Sequence, residues 1–549
     1  MLMPGGLIDL VVEKPAAGGR MIARYEGQIV LVLGAIPGER VTARIERVEK
    51  RLAFASVATV LEASPDRREP TGEPGCGGCL YAHIDYARQV SLKSGIIADA
   101  FIRIGRIPLP SPVAVAPSPE RGYRMRARLH VAGGRAGFLR EGTHQLCEAG
   151  PTGQLHPASM DAIEAALAAL GPAAAGVASV EISENVAATE RAFHLELGAG
   201  ETISETLLAS AVAAASLTGC SARSAGGAFA MAGDPTVTDP LPALTNGRAA
   251  SGELRRHAAS FFQANRFLLV DLVGTVMDGV PSDGEVLDLY AGVGLFAVSL
   301  AASGRDRLFA VEGDRESGAD LLRNAAPFAG RLQAVVGRVE DQIRRRTGAG
   351  AVIVDPPRTG MSRDALDAIV RLGARRLIYA SCDPPTMARD ARRLLDQGYR
   401  LVSLKGFDLF PNTPHVETVG IFERLKLDPV QPSYFRLSDP PHARGAHERV
   451  EQRPELAGPP EVLRMPLHTE AEALVRRLDR LDDAVGDRRG CDERLAQRGD
   501  GLMVPAVDAA GVAVASERAL ERGALADLHI VREGVLGQLD AVRQIGGDR

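Results

Sequence analysis

The stretch Glu285-Val-Leu-Asp-Leu-Tyr-Ala-Gly-Val-Gly294, with Arg307-Leu-Phe-Ala-Val-Glu312 after it, decides the fold. Both begin as short aliphatic runs; the first breaks at a glycine loop and the second ends on an acid. Further runs of this kind stand at Ala351-Val-Ile-Val-Asp355, Arg376-Leu-Ile-Tyr-Ala380 and Tyr399-Arg-Leu-Val-Ser403, with helical segments between them. Strands alternating with helices predict a doubly wound, mostly parallel α/β sheet over residues 255–425. In such sheets ligands bind beyond the carboxyl ends of the strands. Gly292 and Gly294 would let a cofactor approach the backbone, and Glu312 would accept hydrogen bonds from ribose hydroxyls. The glycine pair alone fits a dinucleotide as well, because Ala297 stands at a third position that tolerates alanine.

Two later motifs narrow the chemistry. Asp355-Pro-Pro-Arg358 ends one strand, and Cys382 in Tyr379-Ala-Ser-Cys-Asp-Pro-Pro385 ends the next. The aspartate can be read as a mere cap, and a lone cysteine in an α/β core is usually a small buried hydrophobe. Here the sheet edge and the turn at Asp383-Pro-Pro would leave the thiol at the rim. Downstream, Pro411-Asn-Thr-Pro-His-Val-Glu417 supplies a glutamate. A thiol with a distal carboxylate is what an enzyme needs to attack a pyrimidine ring covalently and then remove its C5 proton.

Working outward, residues 1–62 read as short strands with Gly and Pro punctuation, a pattern that predicts a small β-barrel of the kind that often binds single-stranded nucleic acid. Residues 63–84 read as a linker carrying Cys76-Gly-Gly-Cys79. Residues 85–254 form a mixed α+β middle portion, with helices over 85–104, 160–170 and 204–215 and a strand over 178–182. Within it, Arg124-Met-Arg126-Ala-Arg128 alternates with period two, so a strand would put three guanidinium groups on one face suited to RNA phosphates, or simply on a solvated face. Residues 426–549, rich in Pro, His, Arg and Asp, carry no recognisable site and read as a poorly ordered extension.

The 549 residues, 45% hydrophobic and 24% charged, describe a multidomain globular protein. No apolar run is long enough for a membrane span, and the start MLMPGGLIDLVVEKP lacks a basic region followed by an apolar one, so a cytoplasmic location is expected. A net charge of −5 argues against a uniformly basic surface but not against a local basic patch. Six scattered cysteines exclude a secreted disulfide scaffold.

The motifs Phe261-Phe-Gln-Ala-Asn265, Asp288-Leu-Tyr-Ala-Gly-Val-Gly294, Asp355-Pro-Pro-Arg-Thr-Gly360, Ser381-Cys-Asp-Pro384 and His415-Val-Glu417 resemble, in order and spacing, those of the RNA 5-methyluridine methyltransferase family. The front portion resembles that family's TRAM barrel. The resemblance implies a class I fold using S-adenosylmethionine, with Gln263, Tyr290, Glu312 and Asp355 at the cofactor, Cys382 as nucleophile and Glu417 as base. Leu295 stands near the cofactor where relatives often have asparagine, and Phe261 or Phe262 can lie against a flipped base or in the core. The implied partner of a monomeric enzyme is RNA. The barrel favours ribosomal RNA, since the transfer-RNA branch typically lacks it. Cytosine-specific relatives usually carry a second cysteine where this chain has Asp355-Pro-Pro-Arg358, which favours uracil. An inactive RNA-binding or assembly protein is the remaining alternative.

Some members hold a 4Fe-4S cluster on C-x5-C-x2-C and a later cysteine. Here Pro70 stands at the first place, Thr152 at the fourth, and only Cys76 and Cys79 match, with Cys147 five residues short of the fourth place. Four thiolates normally hold such a cluster, so Cys76, Cys79 and Cys147 make an incomplete set and the expectation is substoichiometric iron.

Overall fold

The computed structural model describes residues 2–16 and 18–425. The expectation for residues 426–549 lies outside them.

The front portion is a closed five-stranded barrel, its strands Leu7–Pro15, Met21–Tyr25, Gln28–Leu33, Arg40–Val48 and Leu52–Glu62 joined in the order first, second, third, fifth, fourth. Alternation builds it: Leu10 and Val12, Val30 and Val32, and Val41, Ala43 and Ile45 point inward and are buried. Small inward residues, among them Ala23, Ala53 and Ala55, let so few strands close on themselves.

A seven-stranded sheet forms the middle of the molecule. Its order is Phe229–Gly233, Gly219–Ser224, Arg191–Leu197, Val177–Glu184, Arg126–Ala132, Arg135–Leu139 and Leu146–Glu148. The alanine-rich helices Pro157–Leu170 and Glu205–Ala214 share a core with it through Ile163, Leu167, Leu208, Leu129, Ile182 and Leu195. Because Ala127 and Leu129 face that core, the alternate residues Arg126 and Arg128 turn to the other side.

The third layer is an eight-stranded sheet with the order Leu332–Val336, Leu308–Glu312, Val286–Leu289, Ala351–Val354, Arg376–Ser381, Glu417–Arg424, Tyr399–Phe407 and Val115–Ala116. The first five strands are parallel, and the four inside the edge strand Leu332–Val336 are largely buried, hence their near-continuous apolar runs. Helices Leu269–Gly279 and Leu295–Ala302 cover one face, and Arg363–Leu372 and Pro384–Asp396 the other. Glu417–Arg424 runs antiparallel to both neighbours, a strand the sequence pattern did not reveal. The helix Tyr86–Asp99 also joins this layer, since Ile97 packs with Leu287, Val354 and Leu377, and Val115 pairs with Gly406. Among the described residues no helix is long and apolar enough to cross a membrane.

Candidate active site

The glycine loop is shaped by its backbone. Tyr290, Gly292 and Gly294 all have positive φ (65°, 56° and 95°). At Gly294 a side chain is excluded twice over, because a Cβ would lie 2.8 Å from Val298 and 2.9 Å from Leu321. Helix Leu295–Ala302 begins at once, and Leu295 is buried in its first turn. Asp288, buried beneath the loop, accepts a hydrogen bond from the Ala297 N–H at 2.9 Å, and burial lifts its carboxyl to about 7. Glu312 accepts from the N–H groups of Gly292 and Asp314, each at 2.7 Å, which holds its carboxylate at the end of the neighbouring strand.

Cys382 follows the last residue of Arg376–Ser381. The Asp383 N–H donates to Ser381 Oγ at 3.2 Å, and Asp383 Oδ1 accepts from the Thr386 N–H at 2.9 Å, capping helix Pro384–Asp396. The thiol therefore sits between a strand end and a capped helix start. Glu417 reaches the same place from the opposite direction. Its strand is antiparallel, with Thr418 paired to Ser381, so the first residue of one strand lies beside the residue that follows the other. The loop leading to Glu417 is tied down by Asn412, whose side-chain oxygen accepts from Arg68 and Gln89, each at 2.9 Å, while Asn412 takes a φ of 64°. Asn265 has a comparable bracing role, donating to Ser118 Oγ at 2.9 Å and to the Leu409 carbonyl at 3.1 Å.

These residues line one cavity of about 710 Å³, shared by Phe261, Gln263, Tyr290, Leu295, Glu312, Asp355, Cys382 and Glu417. Two larger cavities, of about 820 and 750 Å³, lie between the hairpin and helix of the middle sheet and against the barrel, and contain neither the glycine loop nor Cys382. Acidic groups converge in the smaller one. Gln263 Nε2 donates to Asp355 Oδ2 at 2.9 Å, yet burial still raises Asp355 to about 7. Burial, then repulsion from Asp355, raises Glu417 well above the ordinary carboxylate range, and among the described residues its Oε1 has no hydrogen-bond partner. Burial and then Glu417 push the Cys382 thiol up to about 11. Arg358 opposes both shifts, and it also donates to the His415 ring at 3.2 Å. The sequence motifs contained Arg358 and His415, but nothing in their spacing disclosed that the two would meet.

The cavity fits S-adenosylmethionine in its donor set. A glycine loop stands beside the Glu312 carboxylate, Leu295 offers an apolar wall, and Asp355 with Gln263 closes the inner side.

Other expected site residues are placed differently. Arg126 and Arg128 both pair with Glu181, the former at 2.7 Å, so two cations share one acid instead of standing free on a phosphate-facing strand. Arg124 precedes that strand, donates to Gln154 at 2.7 Å and lies 5.3 Å from the Phe138 ring centroid. Phe261 is 58% exposed at the cavity mouth under Arg126, whereas Phe262 is core, with Arg256 over its ring.

The structure brings the expected ligands Cys76, Cys79 and Cys147 into one buried cluster, but not as three free thiols. Cys76 and Cys147 form a disulfide, leaving Cys79 alone, its thiol lifted to about 11 by burial. A Cβ at Gly72 would lie 3.0 Å from Cys79 Sγ and 3.6 Å from the Thr152 methyl, so that corner is filled by protein. Among the described residues no three His, Cys, Asp or Glu side chains are grouped to hold a metal ion, and the donor set does not fit a 4Fe-4S cluster.

Residues 2–58 match the TRAM domain, and residues 336–425 match the tRNA (Uracil-5-)-methyltransferase family. An uncharacterized RNA methyltransferase of Streptomyces avermitilis is 33% identical over 449 residues, covering 76% of this chain and 98% of its own. The 23S rRNA (uracil(1939)-C(5))-methyltransferase RlmD of Pseudomonas entomophila is 30% identical over 440 residues, covering 75% of this chain and 93% of its own. The fold is shared with the Pyrococcus abyssi tRNA (uracil-54, C5)-methyltransferase crystallised with S-adenosyl-L-homocysteine, at a TM-score of 0.60 and 23% identity, covering 75% of this chain and 99% of that one. Over its barrel, middle sheet and catalytic sheet, then, this chain belongs to the RNA (uracil-C5) methyltransferase family.

Proposed function

We propose that the protein methylates C5 of a uridine in large-subunit ribosomal RNA in the cytoplasm. The observation that carries this reading is the meeting of Cys382 and Glu417 from adjacent, oppositely directed strands in the cavity that also holds Glu312 and Asp355.

The residues divide the work as follows. Uracil C5 is a weak nucleophile, and the target base must leave its stack to reach the cavity. The Cys382 thiolate adds to C6, and the C5–C6 π electrons move into an enolate at O4. Glu312, Leu295 and Asp355 would hold S-adenosylmethionine, which when bound would supply an electrophilic methyl group to C5 and leave as S-adenosylhomocysteine. Glu417 then removes the C5 proton; the electrons of that C–H bond restore the C5–C6 double bond and expel the Cys382 thiolate. A carboxylate whose pKa is raised by burial is a stronger base than an ordinary glutamate, which suits it to a carbon acid. Arg358 offsets negative charge on both Cys382 and Glu417.

The test is incubation of the protein with unmodified ribosomal RNA and methyl-labelled S-adenosylmethionine, followed by nucleoside mapping. Label in 5-methyluridine supports the reading. Label in 5-methylcytidine, or labelling of transfer RNA alone, would replace the substrate, and no label with bound RNA would favour an assembly protein.

A further inference from the structure

Beside the catalytic cavity lies a second one of about 280 Å³, and the two share Arg128 and Arg358. Its wall combines Arg124, Arg128, Arg358 and His130 with the rings of Phe138, Phe410 and His415, and among the described residues no acidic side chain lines it. The catalytic cavity, by contrast, has Glu181, Glu312, Asp355 and Glu417 on its walls. The smaller cavity therefore favours an anionic, aromatic occupant.

Its aromatic floor is built. Phe410 and His415 meet edge to face, 6.0 Å between centroids at 77°, and the Arg124 guanidinium stands 5.4 Å from the Phe410 ring and 5.3 Å from that of Phe138. Arg124 is held there by Gln154 and by the Arg126 carbonyl at 3.0 Å, so protein hydrogen bonds place its guanidinium beside both rings. His415 is kept neutral at physiological pH, since burial and then Arg358 hold it down at about 4. Gly77 and Gly78 of the Cys76–Cys79 turn also line it, and Gly78 lets the backbone approach the Phe138 ring, since a Cβ there would lie 2.7 Å from it.

We propose that this cavity is a subsite for a nucleotide adjacent to the target uridine on the same RNA strand, its base stacked on one ring of the Phe410–His415 pair and flanked by the other, and the intervening phosphate held by Arg128 and Arg358. The inference rests on the methyl-transfer reading above. Its geometric ground is the shared wall, because a strand with one base in the catalytic cavity has its backbone passing the two arginines common to both. Aromatic stacking is worth about 1–3 kcal/mol per base, which makes a tenfold effect on RNA affinity a reasonable scale.

The experiment uses a short RNA containing the uridine mapped in the labelling assay, with an abasic residue placed in turn on its 5′ and 3′ side. One of the two should raise KM about tenfold with little change in kcat. Phe410→Ala should raise KM on intact RNA by a similar factor and add little on that abasic RNA, and His415→Asn should do the same more weakly. Binding of S-adenosylmethionine reports folding of each variant, since neither residue lines the cofactor cavity. No KM change from either abasic position, or abasic and Phe410→Ala effects that multiply, overturns the subsite while methyl transfer stands. Absence of methylation in the wild-type protein overturns the functional reading and the subsite with it.

Discussion

Gln263 donates a side-chain hydrogen bond to Asp355 at 2.9 Å, joining the segment that precedes helix Leu269–Gly279 to the end of strand Ala351–Val354. The contact orients a carboxyl group whose charge bears on both Cys382 and Glu417. In Asp355→Asn that negative charge is gone, so both groups should ionise at lower pH. The rate of Cys382 alkylation by iodoacetamide in the free protein is expected to rise toward a pKa of about 11, and the Asn variant should shift the profile to lower pH. An unshifted profile would mean that Asp355 does not act on the thiol.

Cys382→Ala should abolish methyl transfer while S-adenosylmethionine still binds, because only the covalent step needs sulfur. Equal loss of cofactor affinity, measured by calorimetry, would reassign Cys382 to a structural role.

Glu417→Gln should retain methyl transfer to C5 but stall release, so that a protein–RNA adduct accumulates on denaturing gels. Turnover at the wild-type rate would place the base elsewhere.

Asp288 makes stability depend on pH. Its folded pKa of about 7 lies above the reference value of 3.8, so the native state holds a proton that the unfolded state has lost between those values. Stability is fully present below the lower value and falls as pH rises through the upper one. Asp288→Asn, which keeps an acceptor for the Ala297 N–H, should raise the melting temperature more at pH 8 than at pH 5, with a gain of roughly 1–4 kcal/mol at the higher pH. An equal effect at both pH values would show that the carboxyl is not protonated in the fold.

Glu181 splits its charge between Arg126 and Arg128, and only Arg128 is well exposed, its side chain 55% accessible. Arg128→Ala should reduce the salt slope of RNA binding by about one counterion, and Glu181→Gln should tighten binding by freeing both cations. An unchanged slope in both variants would leave this strand face without RNA contacts.

The Cys76–Cys147 disulfide closes a separation of 71 residues, which in the chain-entropy model is worth about 4 kcal/mol. Cys76→Ser, or reduction of the wild type, should lower the melting temperature while methyl transfer survives, and anaerobically purified protein should contain well under four irons per chain. Stoichiometric iron lost in Cys76→Ser would restore a cluster at this site.

The catalytic sheet was legible in the sequence because parallel strands buried on both faces are unbroken aliphatic runs, such as Ala351–Val354, and because a glycine loop and strand-ending acids mark the ligand edge. The helices 157–170 and 205–214 were legible too, since their alanine content and spacing are local properties. What sequence could not contain was partnership. That Glu417 opens an antiparallel strand beside Cys382 depends on register between residues far apart in the chain. That Arg126 and Arg128 are held by Glu181 follows from their strand lying beside Val177–Glu184, which turns an arginine row into a partly neutralised cluster. Likewise Cys76 found Cys147, and Arg358 found His415, only because segments far apart in the chain converge. Periodicity and turn chemistry act over a few residues and write themselves into sequence, whereas charge pairing, thiol pairing and cavity walls are set by which elements become neighbours in space.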